Sequence, residues 1–230
     1  MRIKDAVSNL QKEHPEDTLL PLLTPWGEKL GEAVRQEYPR PQLRRKNYRM
    51  LHGKWRYAIT PVEASPTPGS PIAADGEILV PFSPESLLSG VERQVQPQEY
   101  LWYERTLVFA DEDFSLHAKG FHCILHFDAV DQQAAVYADG DEVVSHVGGY
   151  LPFYADITDY VSHDKPLLLQ VRVRDETDAS WLSRGKQTLR RGGMFYTPQS
   201  GIWQSVWYEW VPSNYIRALR ITPEPDTHSV

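Results

Sequence analysis

The alternation of apolar and polar residues predicts short β-strands from residue 51 onward. The clearest stretch is 165–174, where apolar residues recur at every second position, as in a strand with one buried face. Its apolar positions are Leu167, Leu169, Val171 and Val173. Asp139 and Gly140 separate two further strands and are typical of a tight hairpin turn. The predicted strands are 54–59, 77–80, 100–109, 121–127, 134–138, 142–144, 165–174, 202–210 and 215–221.

These short strands, with turns and no helical patterns between them, predict an all-β fold, an antiparallel β-sandwich. The composition agrees, with 7 Trp and 12 Tyr, which favour sheets, and 18 Pro against 14 Gly. Proline at this density interrupts helices repeatedly. The acidic run 111–113 is expected to form a turn after its strand. The sandwich is predicted to occupy residues 46–223.

The first 45 residues are predicted to form a polar leader with one short helix. Thr24 supplies the N-cap of that helix, and Pro25 its first residue. Prolines and arginines between residues 38 and 45 predict an extended, solvated connector. Residues 224–230 are expected to link the sandwich to a downstream domain.

Charge and composition exclude several function classes. The net charge of -7 argues against a nucleic-acid-binding module, which usually has a basic face. One cysteine, Cys123, excludes an intrachain disulfide and a cysteine-rich zinc site. The sequence has no apolar run of about 18 residues that would span a bilayer. We therefore expect a soluble, cytoplasmic protein without nucleic-acid or membrane partners.

Catalytic and metal-binding motifs are scarce. Phosphate-binding loops, nucleophile elbows and HExxH sequences are absent, and no cofactor is expected. His122 and His126 lie on one face of a predicted strand but about 13 Å apart, too far to share a metal. The acidic residues at 111–113 and at 139 and 141 are possible calcium ligands. Solvation of turns is the favoured role for them, so no metal site is predicted.

A long connection between two strands, residues 174–201, carries the candidate binding residues. Loops of more than about 12–15 residues are usually functional or disordered, and the aromatic residues here argue against disorder. Carboxylates, amides and aromatic rings together suit sugars, which offer hydroxyls and an apolar face. The alternative is that the aromatic residues anchor the loop while its charges face water or another domain. The candidate residues are Asp175, Asp178, Trp181, Arg184, Lys186 and Gln187.

Six stretches resemble one known family. They are LHGKW at 51–55, ILVPFSPES at 78–86, WYER at 102–105, FDAVDQ with VYADG between 127 and 140, HVGGYLPF at 146–153 and SGIWQSVW at 200–207. In this order they resemble the N-terminal sugar-binding domain of glycoside hydrolase family 2, the family of β-galactosidases, β-glucuronidases and β-mannosidases. The resemblance implies a galactose-binding-like jelly-roll sandwich. In it, Glu104 and Arg105 are expected to form a structural ion pair.

The resemblance also implies where the chemistry lies. Family members carry both catalytic glutamates on a (β/α)8 barrel beyond an immunoglobulin-like domain, one of them in an Asn-Glu pair. Asn9, Asn47 and Asn214 are the asparagines here, and no glutamate follows them. A barrel needs roughly 250 residues, so 230 leave no room for one. We therefore expect no catalytic residue in this chain.

By position, Asp175 is the first candidate for a sugar contact and Asp178 the second. The expected partners are a β-glycoside, the two downstream domains and possibly a second copy of the chain. A free-standing carbohydrate-binding module or lectin is one alternative, and a structural docking domain without sugar contact is another. The sequence does not identify the sugar.

Overall fold

The computed structural model describes residues 23–227, and its strands form a sandwich of two main antiparallel sheets. This confirms the predicted all-β antiparallel sandwich. The strands are β1 (Tyr48–Met50), β2 (Gly53–Pro61), β3 (Gly76–Val80), β4 (Glu99–Leu107), β5 (His122–Phe127), β6 (Val130–Asp131), β7 (Gln133–Ala138), β8 (Asp141–Val147), β9 (Phe153–Asp156), β10 (Leu167–Arg174), β11 (Gly201–Ile202) and β12 (Val206–Val211). Within residues 23–227, one α-helix, α1 (Asp111–Ala118), accompanies them.

The sheets have four and six strands. The four-stranded sheet has the order β1-β12-β5-β9, and the six-stranded sheet the order β3-β2-β4-β10-β7-β8. The short strands β6 and β11 pair with each other, Gly201 opposite Asp131. The core lies between the two main sheets, where alternate residues of facing strands meet. Its fully buried members include Trp55, Tyr103 and Tyr208.

Helix α1 replaces the turn expected at the acidic run. Asp113 accepts a 2.8 Å hydrogen bond from the Ala110 backbone N–H, so its carboxylate caps the first turn. Phe114 and Leu116 pack against the core from this helix. The prediction of a turn was wrong because the acidic side chains favour a helix N-terminus, and two apolar residues then anchor the helix.

The predicted strand at 215–221 was also wrong. These residues lie outside both sheets, and Ile216, Leu219 and Ile221 are exposed. Arg45 donates a hydrogen bond of 2.5 Å to the Ile216 carbonyl, which ties the segment to the connector rather than to a strand. Arg45 also pairs with buried Glu209, so this arginine is not part of a solvated link as expected.

The short helix expected at Thr24 is a single 3₁₀ turn, Gly27–Lys29. Thr24 does accept a hydrogen bond from the Gly27 N–H through its hydroxyl, at 3.2 Å. The rest of the predicted leader, residues 1–22, lies outside the described residues, as do the last three of the predicted linker. No helix between residues 23 and 227 has the length and apolar character needed to span a membrane.

The ion pair expected between Glu104 and Arg105 does not form. Successive side chains of a strand point to opposite faces, so the two residues face apart. Glu104 binds Arg56 on the outer face of the six-stranded sheet and accepts a hydrogen bond of 2.9 Å from Gln170. Arg105 instead donates to the Leu51 carbonyl, at 2.6 Å.

Candidate functional site

The long connection begins and ends on one carboxylate. Asp175, directly after β10, is 2% exposed. It accepts hydrogen bonds from the Thr177 backbone N–H at 2.6 Å and from the Ser200 hydroxyl at 2.7 Å. Ser200 immediately precedes β11. Asp175 therefore connects the two ends of the 26-residue segment 175–200. Both of its carboxylate oxygens accept hydrogen bonds from within the fold.

Gln187 anchors the middle of the connection to the sandwich. Its amide nitrogen donates to Asp131 at 3.3 Å, and its amide oxygen accepts from the Gln199 N–H at 2.8 Å. The Tyr196 N–H donates to the Lys186 carbonyl at 2.7 Å, so the chain folds back on itself between them. The connection is thus an ordered cover over Asp131.

Asp131 lies directly below Gly149. A Cβ atom at position 149 would overlap the Asp131 carboxylate. Within the described residues, one carboxylate oxygen of Asp131 has no hydrogen-bond partner, while the other accepts from Gln187. The glycine pair 148–149 of the sequence therefore permits a close approach between a backbone and a buried acid.

Glu85 completes this group of buried acids, which we call the carboxylate cluster (Glu85, Asp131 and Asp175). Glu85 accepts hydrogen bonds from the backbone N–H groups of Ser200 at 3.0 Å and Val95 at 3.3 Å. Ser200 thus contacts two of the three acids, through its N–H and its hydroxyl. The loop containing Glu85, the β5–β7 region and the long connection meet at this cluster.

The cluster is short of positive charge. Among residues 23–227, none of the ion pairs involves its three acids. Burial raises the pKa of Glu85 to about 7 despite the N–H donors. Burial, followed by the nearby charge of Asp175, raises the pKa of Asp131 to about 7 as well. Burial also raises the pKa of Asp175. The cluster therefore favours protonated acids.

The connection also presents aromatic side chains to solvent. Trp181 is 91% exposed and Tyr196 69% exposed. Tyr150 is also exposed, and its hydroxyl lies beside Gly185 of the connection. Its ring packs edge-on against Trp203, with 6.0 Å between centroids. We call Tyr150, Trp181, Phe195 and Tyr196 the aromatic surface.

The six residues predicted from sequence differ in their surroundings. Asp175 and Gln187 reach the carboxylate cluster, whereas Trp181 and Lys186 point outward and Arg184 is half-buried. Asp178 accepts a hydrogen bond from the Leu189 N–H at 3.3 Å within the connection. The structure thus gives Asp175, Asp178 and Gln187 anchoring contacts and leaves Trp181 and Lys186 free of the core.

Sequence reasoning assigned no role to Glu85, Asp131, Tyr150 or Ser200. All four lie in the motif stretches quoted above, at 78–86, 127–132, 146–153 and 200–207. The motifs therefore contained these residues. The sequence did not show that the fold brings them together around the long connection.

Residues considered for metals have other partners. His122 donates to Asp156 at 2.9 Å through Nδ1, and His126 contacts Glu209 at 3.0 Å. Asp139 accepts from the Leu168 N–H at 2.9 Å and pairs with Lys165. Between residues 23 and 227, His, Cys, Asp and Glu side chains form no group of three or more that suits a metal ion.

Comparison with protein-family models gives one match, to "Glycosyl hydrolases family 2, sugar binding domain", over residues 87–212. This range is more than half of the chain and contains β4 to β12, Asp131 and the whole long connection. The chain belongs to this family. The family resemblance inferred from the six motif stretches is thereby confirmed.

Curated relatives are longer proteins. A putative beta-glucuronidase of Formosa agariphila is 28% identical over 122 residues, which are 53% of this chain and 13% of that protein. A beta-galactosidase of Thermoanaerobacter pseudethanolicus is 35% identical over 80 residues, 34% of this chain and 10% of that protein. The family 2 domain thus spans about a tenth of the curated relatives that it matches.

Solved structures share the fold. The beta-glucuronidase of Faecalibacterium prausnitzii superposes with a TM-score of 0.59 at 22% identity, covering 81% of this chain and 35% of that one. A beta-glucuronidase of Lactobacillus rhamnosus gives a TM-score of 0.54 at 26% identity, covering 74% and 30%. The sandwich is therefore the fold of a part of these larger proteins.

Proposed function

We propose that this family 2 domain contributes sugar contacts, through its aromatic surface, to a β-glycoside hydrolase whose catalytic glutamates lie outside these 230 residues. The observation that supports the proposal is a set of exposed aromatic side chains, three of them on a connection that buried polar contacts anchor to the sandwich. Aromatic rings stack on the apolar faces of sugar rings, and an ordered loop presents them with little entropy loss on binding. The names of the relatives, beta-glucuronidase and beta-galactosidase, agree with a β-glycoside ligand.

The carboxylate cluster supports an anchoring role rather than catalysis. Retaining glycosidases need two carboxyl groups about 5–5.5 Å apart that flank an accessible glycosidic bond. Here Glu85, Asp131 and Asp175 are buried beneath the connection, and Asp175 is occupied by Thr177 and Ser200. We therefore propose that Asp175 acts on the sugar indirectly, by fixing the connection, with Asp178 and Gln187 in the same role. Arg184 and Lys186 are proposed to border the ligand.

A binding titration tests the sugar contact. Calorimetric titration of the 230-residue chain with methyl β-glucuronide and methyl β-galactoside is expected to give saturable binding to at least one. Trp181→Ala should weaken that binding about tenfold, because a stacked ring is lost. Trp26→Ala is the matched control, since Trp26 is 83% exposed and lies outside the long connection. Absence of saturable binding, or equal loss in both variants, would favour a docking domain without sugar contact.

An activity assay tests the absence of catalysis. The chain alone is expected to release no chromophore from aryl β-glycosides. Turnover that disappears on substitution of Glu85, Asp131 or Asp175 would overturn this part of the proposal. A reading frame that continues past residue 230 into an Asn-Glu sequence would favour the enzyme over a free-standing lectin.

The remaining partners belong to the same proposal. An immunoglobulin-like domain and a barrel are proposed to follow the sandwich, and the exposed apolar residues at 216, 219 and 221 suit contact with such a neighbour. A cytoplasmic location is proposed on the single, buried Cys123. Size-exclusion chromatography with light scattering would test whether two copies associate.

A further inference from the structure

A cavity of about 570 Å³ lies on the outer face of the four-stranded sheet. Three parts of the chain enclose it. His126 and Glu209 form its floor, Arg40 and Leu43 of the connector form one wall, and the segment 215–221 contributes residues from above. No residue between 175 and 200 lines it. Its volume falls within the range of about 300–1,000 Å³ that is usual for small-molecule sites.

The enclosing segment is fastened to the sheet by Arg45. The Arg45 guanidinium pairs with Glu209 at 2.8 Å and donates to the Ile216 carbonyl at 2.5 Å. It also lies 5.3 Å from the ring centroid of Tyr215. The Arg45–Glu209 ion pair and the hydrogen bond to Ile216 thereby tie the segment to the sheet.

The rings of His126 and Tyr154 line this cavity, and they belong to a row of aromatic rings across neighbouring strands. The His126 ring stacks on Trp207 with 4.7 Å between centroids and an interplanar angle of 11°, and Tyr154 lies 5.9 Å away on the other side. A guanidinium lies over each outer ring. Arg40 is 4.9 Å from the Trp207 centroid, and Arg217 is 4.6 Å from the Tyr154 centroid. Positive charges therefore flank an aromatic floor.

One of the arginines around the cavity has no anionic partner among residues 23–227. Glu209 is matched by Arg45, and Asp128 lies 3.8 Å from Arg40. Arg217 lines the cavity without an ion pair to any residue between 23 and 227. The other walls are mostly apolar and include Leu43, Pro152 and Leu219. Arg217 is itself exposed, so its guanidinium lies beside these apolar and aromatic walls. This arrangement suits a carboxylate joined to an apolar body.

We propose that this cavity binds a small amphipathic organic acid, with its carboxylate on Arg217 and its apolar ring over His126 and Tyr154. The carboxylate of the ligand gives Arg217 an anionic partner, and its apolar ring packs on the rings of His126 and Tyr154. The inference is independent of the sugar contact proposed for the aromatic surface, because the cavity and that surface share no residue.

Naphthoate is the probe for a direct test. Titration of the 230-residue chain by calorimetry is expected to give saturable binding with a Kd of about 1 mM or tighter. Naphthamide, its neutral counterpart, should bind at least about tenfold more weakly, because the charge-assisted contact is lost. In NMR spectra, naphthoate should shift the ring signals of His126.

Two arginine variants locate the site. Arg217→Gln should weaken naphthoate binding at least about tenfold. Arg220→Gln, three residues further on and outside the cavity, should leave it unchanged. Trp181→Ala should also leave it unchanged, so failure here is distinguishable from failure of the sugar proposal. No saturation, equal binding of naphthamide, an unaffected Arg217→Gln variant, or tighter binding of glucuronate than of naphthoate would overturn the proposal.

Discussion

Two regions of the sandwich bury carboxylates in opposite electrostatic surroundings. On the outer face of the four-stranded sheet, Glu209 accepts hydrogen bonds from Tyr38 at 2.7 Å and Arg45 at 2.8 Å. His126 contacts the same carboxylate at 3.0 Å. Burial acts against the charge of Glu209, but the contacts from His126, Tyr38 and Arg45 outweigh it and lower the pKa.

Under the long connection, the carboxylate cluster has amide and hydroxyl donors but no cation among the described residues. Asp131 has Gln187 as its donor and faces the charges of Asp175 and Glu85. Its pKa is raised to about 7, mainly by burial. Burial thus disfavours the charged acid in both regions, and only the cationic and hydroxyl partners of Glu209 outweigh it. The first is a permanent structural pair, and the second responds to pH.

Breaking the paired region should have the largest effect. Glu209→Ala leaves Arg45 without its buried partner and removes an acceptor from Tyr38, so unfolding free energy should fall by about 3–5 kcal/mol. Urea denaturation at pH 7 measures the change. Glu77→Ala is the control, because the Lys54–Glu77 pair at 3.3 Å is exposed and should cost less than about 1 kcal/mol. Similar losses in both variants would contradict the contrast.

The carboxylate cluster should be more sensitive to steric change than the region around Glu209. In Gly149→Ala the new Cβ overlaps the Asp131 carboxylate, and we expect a loss of about 1–3 kcal/mol. Gly31→Ala is the matched control, since no atom lies within 4 Å of its added Cβ. Thermal unfolding of both variants measures the difference. If Gly149→Ala is as stable as Gly31→Ala, Asp131 does not lie where the structure places it.

The two regions also differ in how much of them the sequence predicts. Strand periodicity located most of the sandwich, because one buried face imposes alternation on residues such as Leu169 and Val171. It missed the short strands β1, β6 and β9, which have three, two and four residues. It extended the sheet to 215–221, where apolar residues are present but no neighbouring strand accepts them.

Of the candidate site, sequence reasoning found the connection but not its anchors. Charged and aromatic residues in a long loop indicated a binding surface, and Trp181 is indeed exposed. The same reasoning did not separate Asp175 and Gln187, which bind the fold, from the outward-facing residues. That division depends on Ser200 and Asp131, which are distant in sequence from their partners. Long-range contacts of this kind leave no local pattern.

The smallest expected effect concerns pH and the unpaired acid. Asp131 has a raised pKa of about 7, so between pH about 4 and 7 the folded chain binds more protons than the unfolded chain, and stability falls as pH rises. Asp131→Asn removes this dependence. The free energy of unfolding of the variant minus that of wild type should be at least about 1 kcal/mol larger at pH 8 than at pH 4. Urea denaturation at the two pH values measures the change.

Asp156→Asn provides a control of opposite sign. Burial raises the pKa of Asp156, but hydrogen bonds from Thr158 and His122 overcome that effect and lower it. Its charged form therefore contributes stability above the unfolded pKa, and this contribution is lost as pH falls. The Asn variant should consequently lose more stability, relative to wild type, at pH 8 than at pH 4. If the relative stabilities of the two variants change in the same direction between pH 4 and pH 8, the contrast is wrong. The lack of cationic partners would then not set Asp131 apart from an acid with strong hydrogen-bond donors.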